Sequence, residues 1–177
     1  MGSCKASIGL WLLLFALLPC QAQNNVALTA EQVKAAFLYN FTKYTEWPPV
    51  ADGEPGVLHI CVLQAGDVAA ELERSIDGKM SGTRTIRIRR LKDAADVGRC
   101  ELVFVDNGSR QDEQKLASAA STQPVLTVGD SEGWMIRFVV EGDRVRFDIN
   151  VAAARKVNIR FDSRLLALAR IRIEVLR

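Results

Sequence analysis

The period of the hydrophobic positions changes several times along the chain, and each change marks an element. Val33, Phe37, Phe41, Tyr44 and Trp47 follow one another at steps of four, four, three and three, which places them on one face of a helix. Thr29 and Gln32 stand at the two ends of a capping box in front of that face, and Leu28 and Val33 occupy the positions of a hydrophobic staple. Pro48-Pro49 closes the helix, because a residue before proline is pushed out of the helical region. Asp52 to Gly56 reads as a turn. Val57 to Leu63 (VLHICVL) is then continuously apolar, as in a strand buried on both faces. Thr83 to Leu91 alternates instead, with Ile86 and Ile88 on one side and Arg87 and Arg89 on the other, the period of a half-buried strand. Glu101 to Val105 and Pro124 to Val128 are two more short apolar strands. Asp67 to Ile76 and Ser109 to Ala120 read as helices between strands, and Asp93 to Val97 as a single helical turn.

Strand and helix therefore alternate through four strands, which predicts right-handed crossovers and parallel pairing. After that the pattern changes. Trp134 to Val140 and Arg144 to Ile149 are strands joined by Glu141-Gly142-Asp143, a hairpin. Asn150 can cap a helix from Val151 to Val157, and Asp162 or Ser163 a last helix from Arg164 to Ala169. Ile171 to Leu176 is a final strand or an extended tail. The expected fold is α/β: a mixed, mostly parallel sheet of five to six strands with helices on both faces and the C-terminal hairpin at the sheet edge.

The N-terminal pattern points to export. Lys5 precedes an 11-residue apolar run, Ile8 to Leu18, followed by Pro19 and Cys20-Gln21-Ala22. A charged start, a short apolar stretch and a small-residue end describe a signal peptide, and the run is shorter than the ~20 residues that span a bilayer. Cleavage after Ala22 leaves one domain, residues 23–177. Lipidation at Cys20 is the alternative, with Pro19 an unfavourable residue before it. The formal charge of +2 falls to +1 without Lys5, too small to draw the protein to nucleic acid. Two cysteines remain outside the leader, Cys61 and Cys100. An even number in an oxidising compartment favours a disulfide; two separate buried thiols are the alternative. With the single His59 they do not complete a four-ligand metal set.

Several segments carry a resemblance. Val33 to Pro48 (VKAAFLYNFTKYTEWP) resembles the opening signature of the YfiR-like family, an aromatic helix closed by Trp-Pro. Thr127 to Asp130 (TVGD), Met135-Ile136, Val145 to Asn150 (VRFDIN), Ala152 to Ala154 and Ser163 to Ala169 (SRLLALA) are similar to the family's C-terminal pattern. The resemblance spans nearly all of residues 23–177. It implies a periplasmic α/β protein that is not an enzyme. The family's named member restrains an inner-membrane diguanylate cyclase by binding its periplasmic sensor domain, is linked to an outer-membrane lipoprotein, and responds to redox state. The Cys61–Cys100 pair matches the position of a family disulfide. The chain departs from its relatives in the short loop Ser131-Glu132-Gly133, in Arg137 after Met-Ile, and in lacking a second cysteine pair that some relatives carry near there.

The residues themselves offer little catalytic chemistry. His59 sits within an apolar strand and reads as half-buried and structural. No serine occupies a nucleophile elbow, and no glycine-rich phosphate loop follows a strand, so no cofactor is implied. Gln64, Asp106 and Asp130 follow strands, where open α/β sheets bind ligands; capping of the next helices is the plainer reading. Arg84, Arg87, Arg89 and Arg90 form one basic group and Arg137, Arg144 and Arg146 another. On edge strands such charges block self-pairing, or they meet an acidic partner. Tyr39 lies off the Phe37–Phe41 face, so one aromatic of the first helix should be exposed as an interface anchor. The candidate partner-binding residues are thus Tyr39, Tyr44, Trp47, Arg137, Arg144 and Arg146. The expected function is a periplasmic regulator that represses a membrane signalling protein by contact. A small-molecule-binding domain is the alternative, and a homodimer is compatible with either.

Overall fold

Thr29 closes the expected capping box: its Oγ1 accepts from the Gln32 amide at 3.3 Å, and its own amide donates to Gln32 Oε1 at 3.0 Å. Leu28, the outer half of the expected staple, is exposed. In the computed structural model, which describes residues 28–49, 54–64, 66–105 and 108–173, the first helix, α1, runs Ala30–Lys43. It ends four residues before the aromatic stripe does. Trp47 must be extended to precede Pro48, so the chain straightens early, and Thr45–Glu46 (β1) pairs antiparallel with Arg160–Phe161 (β9). The Asp162 amide donates to the Tyr44 carbonyl at 2.9 Å and fixes that exit. The expected leader 1–22, Asp106, Asp52 and Gly53 of the expected turn, and the tail after Ile173 lie outside the described residues.

The remaining strands are β2 (Val57–Leu63), β3 (Met80–Ser81), β4 (Arg84–Leu91), β5 (Leu102–Val105), β6 (Leu126–Gly129), β7 (Ile136–Glu141), β8 (Arg144–Asn150) and β10 (Arg172–Ile173). They form one sheet in the order β10-β8-β7-β6-β5-β2-β4-β3, parallel except at β7–β8 and β3–β4. The sheet is therefore larger than the five to six strands expected. The six longer strands match the expected runs, and the short β3 and β10 extend the two edges. The hairpin does not form the edge, because β10 lies beside Ile149 and Asn150 of β8. Its turn is Gly142-Asp143, with Gly142 at φ +62°, a conformation that glycine reaches without strain. Strand β7 starts at Ile136 and not at Trp134, whose indole lies over Gly129; a Cβ at Gly129 would stand 2.5 Å from the indole nitrogen.

Strand alternation divides the core in two. Leu58, Ile60 and Val62 of β2, Leu102 and Phe104 of β5, and Leu126 and Val128 of β6 join one buried cluster. That face is covered by α1, α2 (Asp67–Ser75), α4 (Val151–Lys156) and α5 (Ser163–Leu168). Cys61, Leu63, Val103, Val105 and Val125 point the other way, against a 3-10 helix (Ala94–Arg99) and α3 (Arg110–Ala120). Helices thus cover both faces. Asn150 and Asp162 cap α4 and α5, accepting from the amides of Ala153 (2.9 Å) and Arg164 (2.8 Å).

Candidate functional site

Cys61 and Cys100 are joined, with their Cα atoms 5.9 Å apart. Cys61 projects from β2 toward the second cluster, and Cys100 follows the 3-10 helix just before β5, the parallel neighbour of β2. Both are buried. The bond therefore pins the 3-10 helix to the centre of the sheet.

The second group of arginines shares one face of the hairpin. The register sets Arg137 opposite Asp148, Val139 opposite Arg146 and Glu141 opposite Arg144. On this side the hairpin carries a charged network. Arg137 donates to Asp148 Oδ2 at 2.7 Å and to Glu132 at 3.2 Å. Arg170 grips the same Asp148 at 2.9 and 2.8 Å and reaches Glu141 at 3.0 Å. Asp148 is buried, and the Arg170 guanidinium, followed by that of Arg137, holds its carboxyl below the usual aspartate value. Arg146 stands 4.0 Å from Glu141 and Arg144 3.9 Å from Asp143, both at long range, so these two remain exposed cations. Asp148 and Arg170 were not among the sequence candidates. The available hint was a carboxylate between Phe147 and Ile149, opposite an arginine.

Removing the charge at Asp148 has a defined consequence. In Asp148→Asn two partly buried guanidiniums lose their shared acceptor, a loss of about 1–3 kcal/mol for hydrogen bonds to charged groups. Because the native carboxyl titrates below its ordinary 3.8, its contribution is fully present above that pH and fades as the pH falls below it. Urea unfolding across pH 2 to 7 should show an acid-side decline that is shallower in Asp148→Asn. Parallel curves for the two proteins would contradict the coupling.

The aromatic candidates lie elsewhere. None is exposed as the sequence had suggested: Tyr39, Tyr44 and Trp47 are each half-buried against the first cluster. Tyr39 donates to the Met80 carbonyl at 3.1 Å, beside the β3 edge, with Lys43 4.1 Å from its ring centroid. Arg164 covers Tyr44 at 4.9 Å. Trp47 Nε1 donates to the Glu101 carbonyl at 2.8 Å. β3 and β8 belong to opposite ends of the sheet, so Tyr39 and the arginine face are separated.

At the carboxyl ends of the strands the polar candidates are paired with one another's neighbours. Gln64 donates to Asp112 at 3.1 Å, Asp130 accepts from Lys34 at 2.7 Å, and Ser131 donates to Glu113 at 2.9 Å. Gln64 and Asp130 are thus each held by a side chain of a different helix, and α2 is capped by Gly66 without a side chain. In the first basic group Arg84 pairs with Glu101, Arg87 with Asp77 and Arg90 with Glu73. His59 is half-buried, with Nε2 3.6 Å from Glu54. No helix of the described residues is long and apolar enough to cross a membrane.

Fold and cross-link together define a disulfide-braced α/β domain with a charged hairpin face next to one sheet edge. The YfiR/HmsC-like family model matches residues 31–170, and the chain belongs to that family.

Proposed function

We propose that this protein is a periplasmic regulatory binding protein that represses a membrane signalling protein, a diguanylate cyclase, by direct contact with its periplasmic domain. The family match over residues 31–170 carries this reading. The buried disulfide agrees with an oxidising compartment. The hairpin end supplies a suitable contact surface. Val140, Leu168 and Ile171 are exposed apolar residues, and the Arg170–Glu141 pair ties the segment bearing the last two to the hairpin tip. Arg144 and Arg146 project from the opposite face of the hairpin to Val140, so its tip is apolar on one side and cationic on the other. Binding would repress by stabilising the inactive state of the partner, to the extent that its affinity differs between the partner's states.

Affinity capture of the tagged protein from solubilised envelopes tests the surface. The expected result is retention of a membrane protein bearing a diguanylate cyclase domain, reduced by Arg144→Glu/Arg146→Glu. Retention of that protein in equal amount by the double variant would remove the arginines from the interface, and its absence from the captured material would count against the partner class.

A further inference from the structure

We infer that the amino-terminal edge of the parallel strands carries a binding site for a small anion bearing a phosphate or carboxylate group. This goes beyond the regulatory reading and does not depend on it. A cavity of about 580 Å³ opens where β2, β5 and β6 begin. It lies between the end of the 3-10 helix, at Gly98 and Arg99, and the α3–β6 connection, at Gln123 to Val125. Alternation along β2 turns His59 to the face of Cys61, so the cavity sits on the side braced by the disulfide, and Cys100 lines it.

In α/β sheets the ligand usually sits beyond the carboxyl ends of the strands. Here Gln64, Asp130 and Ser131 are already paired at that end, to Asp112, Lys34 and Glu113. The amino edge is different. Among its charged groups, Glu101 is fully engaged: Oε1 accepts from Arg84 and Oε2 from the His59 amide, each at 2.8 Å. Glu54 faces His59. Arg89 and Arg99 also line the cavity, and neither has a carboxylate within 4.0 Å among the described residues. Two guanidiniums on one cavity, each a planar fork of donors, match the oxygens of a phosphate or carboxylate. The wall of Pro124, Val125 and Cys100 is apolar and suits a compact neutral body behind the anionic group, and the Gln123 amide adds a hydrogen-bonding partner.

Amide chemical shifts of the purified, oxidised protein, titrated separately with inorganic phosphate and with citrate at constant ionic strength, test the site. The expected result is saturable movement of the Gly98, Arg99, Gln123 and Val125 amides. The Arg89→Gln/Arg99→Gln double variant should raise the Kd at least about tenfold, as loss of a charge-assisted hydrogen bond implies. Both positions are exposed, so the variant keeps the native spectrum elsewhere. Arg144→Gln, remote on the hairpin, should bind as the wild type does. Saturation by phosphate alone assigns a phosphate ligand, and saturation by citrate alone a carboxylate. Shifts that stay linear in concentration, that persist in the double variant, or that weaken equally in Arg144→Gln would overturn the inference.

Discussion

Cys61→Ser should lower the unfolding free energy by about 4 kcal/mol, the loop-closure value for a cross-link of this span. The two cysteines are 39 residues apart in sequence, and the segment between them includes α2, β4 and the 3-10 helix. In the oxidised chain the denatured ensemble cannot expand across that loop; in the variant it can. The substitution also leaves a hydroxyl where Cys61 is 0% exposed, among Leu63, Val97 and Val103, where an unpaired polar group carries its own cost. Urea denaturation should show a lower midpoint and a steeper slope, because more surface is exposed on unfolding. For a domain of this size the melting temperature should fall by roughly 8–16 °C. A loss under about 1 kcal/mol would mean that the bond is incidental to stability. In cells, the destabilised protein should be less abundant and its partner correspondingly released.

Phe41→Ala should cost about 3–5 kcal/mol, the range for deleting a buried phenyl ring. Phe41 is 0% exposed and sits where α1 meets the hairpin. Its ring lies 6.1 Å from that of Phe37, 5.8 Å from Phe138 and 5.1 Å from Phe147. These contacts, two stacked and one edge-on, add to the burial term. The resulting void joins two elements far apart in sequence, so the helix and the hairpin should loosen together. Phe37→Ala, at a half-buried position, should cost less. Thermal unfolding of both variants checks the ranking, and equal losses would contradict it. Domains of this kind have ~5–15 kcal/mol of stability in total, so either Phe41→Ala or Cys61→Ser removes a large part of it.

What the sequence disclosed follows from the range of each interaction. Local signals were legible. Thr29 with Gln32, Asn150 and Asp162 each act within three residues, and the strand runs carry their own period. The two-residue strands were not legible, because none is long enough to show a period: Thr45–Glu46 and Arg172–Ile173 exist only through distant partners, and Met80–Ser81 through a tight turn onto Arg84 and Thr85. The aromatic stripe overran its helix for a related reason: Trp47 is held at its indole nitrogen by the Glu101 carbonyl, 54 residues away, and not by the helix face. The same contact, with that of Tyr39 to Met80, explains why the expected exposed aromatic is absent from the first helix: each polar tip found a backbone partner. The three hairpin arginines were read as a group, and the register places them on one face. Their organising carboxylate and Arg170 were missed, since a pair 22 residues apart leaves no local trace. The cavity at the amino edge was hidden as well, because its walls come from four separate segments.

If the protein holds a diguanylate cyclase in check, intracellular cyclic di-GMP reports it. It should be measured in a strain lacking this protein, with and without the protein restored to the periplasm. The level should rise on deletion and fall back on restoration. An unchanged level on deletion would contradict the repression proposed.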